Sequence, residues 1–302
     1  MLGSKKQPHE LNLKPRRRNG RMRMLVGLML SAAFVVQCHQ VTHAPVASPP
    51  TVSVEIVPTA AIITESMSEP ERLARRDPLA FFKYCLDEYN RNVRDYRVTF
   101  SKQELVGNKL TPEQVTEVRF KESPYSVDMV WTQNAGRAGR VLYVAGAKAD
   151  ESGQELALVK PAGLLGGIGI KVWRAIHGRE AEREARRAID QFGFKNTLQL
   201  IIKFCEKAQA EGSLELQFVG DGSIDGRPTY VFERRLPYTG EDQPYPDRLL
   251  VVHVDKEWLL PTGCFSYADD DGDALLGRYL LTEAEFNLGY NTADFDANTI
   301  KF

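Results

Sequence analysis

The architecture of this domain follows from VTEVRFKE (Val115–Glu122) and from the two stretches after it, SVDMVWT (Ser126–Thr132) and RVLYVA (Arg140–Ala145). Apolar and polar residues alternate within each stretch, which is typical of strands that bury one face. Only short breaks with Ser-Pro and Asn-Ala-Gly separate the three stretches, so neighbouring strands must run in opposite directions. The sequence therefore predicts an antiparallel meander at the centre of the domain.

Further strands and two helices extend this pattern in both directions. The same alternation predicts strands at 96–101, 155–159, 214–219, 229–234, 249–255, 259–267 and 278–286. Asp77-Pro78 is a typical helix start, with a capping carboxylate before a proline in the first turn, and the apolar stripe after it continues to about Asn92. Thr197–Glu211 has a second such stripe. We expect an α+β domain with a large antiparallel sheet.

The N-terminus predicts export. Lysine and arginine residues between positions 14 and 23 precede Met24–Val36, a run of 13 uncharged residues. A basic region before a short apolar region is typical of a secretory signal, and about 20 apolar residues are needed to span a bilayer. We expect a signal at 1–44, a Pro-rich linker at 45–76 and a domain at 77–302, located in the periplasm or cell envelope.

The end of the signal leaves three alternatives open. Cys38 follows the apolar run, at the position where a bacterial lipoprotein is cleaved and acylated, but Gln37 is bulky where a small residue is expected. Cleavage after Ala44 would place Pro45 at the new terminus, which fits no better. The chain is therefore lipidated at Cys38, released as a soluble product, or held by an uncleaved short anchor.

The charge of the exported part argues against two kinds of partner. The whole chain has 39 Lys and Arg and 40 Asp and Glu; residues 1–44 contain eight of the former and one of the latter, so residues 45–302 carry 31 against 39, a net charge of −8. Nucleic acid requires a basic surface, and so does electrostatic adhesion to an anionic bilayer. Membrane association is therefore expected only through an N-terminal anchor.

The cysteines of the domain indicate neither a disulfide scaffold nor a metal site. Cys85, Cys205 and Cys264 are an odd number, and no CxxC motif or Cys/His cluster is present. We expect buried, free thiols, with one disulfide as the alternative, because an oxidising compartment would permit it. No cofactor and no metal are predicted.

Other motifs that suggest chemistry have simpler interpretations. The glycines of Gly163–Gly169 fit neither phosphate-loop template and predict an apolar loop near a cavity mouth. Asp269–Asp273 lacks the calcium ligands at the ends of an EF-hand loop and predicts a hairpin turn. Likewise, Arg179–Arg187 alternates charges at helical spacing, which favours a solvated face.

Catalysis is not expected. His177 and His253 do not form part of a nucleophile–base motif such as GxSxG. Asp255 and Glu257 are a candidate carboxylate pair, but their position favours a solvated hairpin turn. We therefore predict that the protein is not an enzyme.

Several motifs in order resemble a known family. These are Val118–Val127 with Met129 and Trp131, Gly139–Gly146 (GRVLYVAG), Asp225–Tyr230 (DGRPTY), Asp255–Pro261 (DKEWLLP), Phe286–Gly289 (FNLG) and Ala293–Asp296 (ADFD). Over roughly Asp77–Phe302 the chain resembles a bacterial envelope family of unknown function in the LolA/LolB-like lipoprotein-carrier superfamily. The resemblance implies a curved antiparallel sheet, an incomplete β-barrel, closed by helices over an apolar cavity that receives acyl chains.

The resemblance and the strand pattern together suggest cavity residues. The aromatic and aliphatic side chains expected to line or border the cavity are Phe120, Val127, Met129, Trp131, Leu142 and Tyr143. Each of them is equally consistent with ordinary core packing. The expected function is non-catalytic binding of a lipid or lipoprotein acyl chain. An anchored sensor or interaction module, with a protein partner in the envelope, is the alternative.

Overall fold

Chain geometry is defined over four ranges of residues. The computed structural model describes residues 52–55, 67–167, 169–240 and 244–299. The predicted signal at 1–44, and Cys38 within it, lie outside the described residues.

Strands make up most of the domain and belong to one antiparallel sheet. They are β1 (Val52–Glu55), β2 (Asp95–Val106), β3 (Lys109–Leu110), β4 (Gln114–Lys121), β5 (Ser126–Gln133), β6 (Ala138–Val144), β7 (Leu156–Pro161), β8 (Val172–Ala175), β9 (Glu215–Ile224), β10 (Arg227–Arg235), β11 (Leu249–Asp255), β12 (Pro261–Tyr267) and β13 (Leu275–Phe286). Their order across the sheet is β1-β9-β10-β11-β12-β13-β2-β4-β5-β6-β7-β8, and β3 forms a small hairpin with β2. The predicted meander and the later hairpins are confirmed.

Three of the helices are longer than two turns. The helices are α1 (Glu69–Arg76), α2 (Pro78–Asn92), α3 (Gly163–Gly167), α4 (Arg179–Glu182) and α5 (Phe194–Ala210), with 3₁₀ turns at Ile189–Gln191 and Thr292–Phe295. The helix α2 begins as predicted, because the Asp77 carboxylate accepts a hydrogen bond from the Ala80 amide at 2.9 Å. The helix α5 begins three residues earlier than Thr197, since Phe194 is buried in the core.

Regular structure also begins earlier than Asp77. The strand β1 pairs with β9, with Val52 opposite Ile224, and α1 is capped by Ser68. Ala74 of α1 is fully buried. Because α1 consists mostly of charged residues, its sequence has too little apolar periodicity to stand out from a linker, and tertiary packing stabilises it instead.

The core lies between the inner face of the sheet and the helices α2 and α5. Phe81 and Phe82 of α2 both contact Phe232 of β10, with ring centroids 5.0 and 4.9 Å away. Tyr96 of β2 stacks on Phe120 of β4 at 4.5 Å. These rings fill the centre of the domain, and they account for the aromatic character of the predicted strands.

The sheet curves without closing. Its register shifts by a residue at several places, for example at Val231/Phe232, Ser266/Tyr267 and Val115/Thr116, and such bulges bend strands and increase their twist. Side chains from β10 near one end and β8 at the other line one cavity. In the described part of the chain β1 and β8 do not pair with each other. The predicted incomplete barrel, closed by helices, is therefore confirmed.

Candidate functional site

A cavity of about 890 Å³ lies between the inner face of the sheet, the helix α5 and the segment 184–193 that precedes it. Its size is at the upper end of the range for ligand sites, about 300–1,000 Å³. Exposed residues at its rim, among them Gly136, Arg137 and Gln199, mark where it meets solvent. The cavity is large enough for an extended organic ligand.

One half of the cavity is lined by a row of apolar side chains. Met129, Val141, Val159 and Val172 are cross-strand partners on β5, β6, β7 and β8, and all four line the cavity. Side chains opposite one another in register point to the same face of a sheet. The alternation of these strands therefore produces a continuous apolar wall.

The other half contains a buried ion pair. Arg234 of β10 donates from Nη2 to Oδ1 of Asp247 at 2.7 Å, and the Ser266 hydroxyl donates to Oδ2 at 3.3 Å. All three residues are buried and line the cavity. Such a pair is costly to separate, because either charge alone would be left desolvated.

A second polar group lies on β2 and β13. Buried Glu104 accepts hydrogen bonds from Lys102 Nζ at 2.6 Å and from the Tyr279 hydroxyl at 2.9 Å. Burial, and then the Glu104 charge, raise the pKa of Tyr279 above its ordinary value, so the hydroxyl stays protonated and donates. Together with Arg234 and Asp247, these residues make this half of the wall polar.

Five of the six predicted cavity residues lie on the inner face. Met129 and Trp131 line the cavity. Tyr143 borders it, since it packs on Ala157 and Ile176 of the lining. Phe120 also borders it, through its contact with the lining residue Phe192. Val127 is fully buried in the main core.

The prediction for the sixth residue, Leu142, is wrong, because its side chain lies on the outer face of the sheet. It is the neighbour of Tyr143 on β6, and adjacent residues of a strand point to opposite faces. Leu142 packs on the outer face with Leu158, and both are covered by Phe295 of the C-terminal ADFD motif. Val141 occupies the corresponding position in the cavity.

The structure of residues 179–187 also differs from the prediction of a solvated helix face. Only Arg179–Glu182 is helical, and Glu184, Ala185 and Arg187 line the cavity. Charge alternation did not identify this role, because an irregular segment takes its direction from what it packs against. Arg234 and Glu104 are not among the predicted site residues. Glu104 lies beyond the predicted strand 96–101, and strand alternation identifies apolar faces rather than a charged residue such as Arg234 on them.

The three cysteines of the domain are free, so the alternative prediction of one disulfide is wrong. Cys85, Cys205 and Cys264 are all buried thiols. Burial raises the pKa of Cys264, which lines the cavity, to about 12, so this thiol is protonated at neutral pH.

The carboxylate motifs have structural roles. The prediction of a solvated turn is wrong for Asp255, which is fully buried. Its carboxylate accepts hydrogen bonds from Arg227 Nε at 2.6 Å and from the Trp258 amide. In the hairpin turn, the Asp269 carboxylate accepts hydrogen bonds from the backbone amides of Gly272 and Ala274. In the described ranges, three or more His, Cys, Asp or Glu side chains nowhere cluster as metal ligands would. No helix among them has the length and hydropathy to cross a bilayer.

Comparison with known proteins identifies the family. The model of a family of proteins of unknown function, DUF1571, matches residues 93–302. The chain belongs to this family. The DUF1571 match begins at Val93, after α2, although Phe81 and Phe82 of α2 fill the core under the matched strands.

The DUF1571 domain also has similarities among solved structures. MucB is 16% identical with a TM-score of 0.41, and the alignment covers 73% of this chain and 62% of MucB, less than two thirds of that protein. The Mycobacterium tuberculosis lipoprotein LppX is 15% identical with a TM-score of 0.37, covering 73% and 100%. A LolA superfamily protein from Nitrosomonas europaea is 10% identical with a TM-score of 0.25, covering 72% and 98%. None of the curated proteins matches the chain.

Proposed function

We propose that this DUF1571 protein is a non-catalytic binding protein of the cell envelope, which holds the acyl chain of a lipid or lipoprotein in the cavity under α5. The observation that carries the proposal is the apolar wall formed by Met129, Val141, Val159 and Val172 in a cavity of about 890 Å³. A wall of this kind has no group with which to bind a polar solute.

The driving force is the burial of hydrocarbon. Removing apolar surface from water stabilises a complex by about 0.8 kcal/mol per CH₂ group, so a long acyl chain supplies enough free energy for binding. The ring of Trp131 and the flexible side chain of Met129 extend the apolar surface at the inner face of β5.

We also propose export and an N-terminal anchor, on the basis of the predicted signal at 1–44. Acylation of Cys38 would hold the domain at a membrane, where acyl chains are available. Metabolic labelling with a clickable palmitate analogue tests this: label on the wild-type chain and none on Cys38→Ser supports the anchor, and an unlabelled wild-type chain rejects it.

Native mass spectrometry tests the binding proposal. The full chain is purified from a bacterial envelope, its mass is compared before and after solvent extraction, and the extracted protein is titrated with palmitate. We expect stoichiometric lipid or uptake of palmitate. The variants Trp131→Glu, which places a charge in the apolar wall, and Val159→Trp, which fills it, should each weaken uptake at least tenfold.

The matched control is Leu110→Glu. Leu110 is an exposed apolar residue of β3, outside the cavity lining, so the same new charge should leave uptake unchanged. Circular dichroism confirms that all variants are folded. A clean apo mass, with no uptake of palmitate by the folded wild-type protein, contradicts the proposal and favours a protein-interaction module.

A further inference from the structure

The cavity is more positive than the domain that contains it. Six Lys or Arg side chains and four Asp or Glu side chains line it, whereas residues 45–302 carry a net charge of −8. Three of the six cations, Arg137, Arg174 and Lys203, are exposed at the rim. Whether a cation inside the cavity can meet a ligand therefore depends on the partners of each side chain.

Most of these cations are already held by neighbours. Lys102 binds Glu104 at 2.6 Å, Arg234 binds Asp247 at 2.7 Å, and Arg137 binds Glu184 at 3.1 Å. Arg174 has partners of its own, and Lys203 lies over the Phe204 ring at 5.6 Å. These five contacts leave one cationic side chain of the lining.

Arg187 is different. Its guanidinium is half-buried at the cavity wall and forms no ion pair or hydrogen bond with the part of the chain that the structure describes. Its charge acts on Cys264 and on Tyr279, opposing the effect of burial on the pKa of both. The preceding residue, Arg186, donates its amide to Glu104 Oε1 at 3.4 Å, and Arg187 lines the cavity together with Cys264 and Tyr279. Arg187 therefore lies in the polar half of the cavity.

The two halves of the cavity are separated along the sheet. The apolar row spans β5 to β8, while the polar half that contains Arg187 is formed by residues from β10 to β2 in the order of the sheet, with β4 between the two groups of strands. Neighbouring strands are about 4.8 Å apart, so an occupant that reaches both halves extends across several strands. An amphiphile has this length and this polarity, with hydrocarbon at one end and a polar group at the other.

We propose that the ligand is an amphiphile with an anionic headgroup, phosphate or carboxylate, which Arg187 binds while the acyl chain lies along the apolar wall. The inference rests on the proposed function and adds the headgroup chemistry. A guanidinium binds such groups through two parallel hydrogen bonds. The bound anion would also supply a counter-charge for a guanidinium that has none among the described residues.

Isothermal titration calorimetry with matched probes tests the inference. Dodecyl phosphate and dodecanol share one chain and differ in headgroup charge; each is titrated below its aggregation limit into the full chain after lipid extraction. We expect the wild-type protein to prefer dodecyl phosphate at least tenfold. Arg187→Gln should abolish the preference and leave dodecanol binding unchanged, while Arg187→Lys should retain part of it.

The control variant is Lys83→Gln, which removes an exposed cation of α2 that is paired with Glu206 and lies outside the cavity lining. It should keep the preference, and inorganic phosphate alone should bind at least a hundredfold more weakly than dodecyl phosphate. Equal affinity for both probes, or a preference that survives Arg187→Gln in a folded protein, overturns the headgroup assignment and leaves acyl binding standing. Phosphate alone binding as tightly as dodecyl phosphate also overturns it. Failure of both probes to bind rejects the proposed function itself.

Discussion

Arg234 and Asp247 form an ion pair of 2.7 Å in the wall of the cavity, and each side chain is only 2% exposed. The pair joins β10 to the segment that leads into β11, and Ser266 of β12 donates to the same carboxylate. The carboxylate of Asp247 is thus bound from two strands, and the shape of this part of the cavity wall depends on the pair remaining intact.

Removing one member of this pair should destabilise the fold. Asp247→Ala leaves the Arg234 guanidinium buried without a counter-charge, and we expect the free energy of unfolding to fall by about 3–5 kcal/mol. Urea denaturation measures the loss. The matched control is Glu285→Ala, which breaks an exposed pair with Arg97 and should cost less than about 1 kcal/mol. Equal effects of the two variants would contradict a buried pair.

Gly193 should tolerate no side chain. It precedes α5 with φ 109° and ψ 164°, a conformation that is essentially restricted to glycine, and a Cβ there would lie 2.6 Å from the Tyr96 hydroxyl. We expect Gly193→Ala to lower the free energy of unfolding by about 3 kcal/mol. Gly146→Ala, where φ is 73° and the space is open, should cost about 1 kcal/mol. Thermal denaturation of both variants gives the comparison.

Stability should fall in mild acid because of His253. Burial lowers the pKa of this fully buried side chain from 6.5 to about 4. Since the unfolded chain binds the proton more readily, stability is complete above pH 6.5 and declines as the pH falls toward 4, by about 3 kcal/mol. Urea denaturation between pH 7 and pH 4.5 checks this. In His253→Gln the decline should be smaller by that amount; an identical pH profile would disprove the assignment.

The helix α1 should be part of the folding unit. A chain that begins at Asp77 lacks α1 and β1, and we expect it to melt roughly 5–10 °C below one that begins at Ser48, since each kcal/mol corresponds to about 2–4 °C at this size. In the longer chain, Ala74→Asp should reproduce most of the loss because Ala74 is fully buried. Arg72→Ala, at an exposed position of the same helix, should not.

Substitutions at two neighbouring residues of β6 should affect protein stability and ligand binding separately. Leu142→Ala removes a contact with Phe295 on the outer face and should cost about 3 kcal/mol of stability, with palmitate uptake unchanged. Val141→Trp fills the apolar half of the cavity and should weaken uptake at least tenfold. Loss of uptake in Leu142→Ala, with the protein folded, would place that side chain in the binding site after all.

Much of the fold could be predicted because strand alternation is a local property. The strands β4, β5 and β6 begin and end within two residues of the predicted limits, since each needs only its own apolar face to be recognised. The same rule also assigns faces, and the error at Leu142 came from selecting two adjacent residues for one cavity. For α1 and β8 the local pattern is weak, and they form because the sheet and the core are already present.

Local sequence patterns are enough to predict the type and order of the main elements, the start of α2 at Asp77, and the alternation that brings Met129 and Trp131 to the inner face. Periodicity and helix capping involve residues that are close together in the chain, so they can be recognised in the sequence. Which inner-face residues line the cavity, and which pack against a helix, depends on the folded domain. The fold also brings Arg187, Cys264 and Tyr279 to one cavity, because the curvature of an open sheet and the course of an irregular segment depend on contacts between residues far apart in the chain.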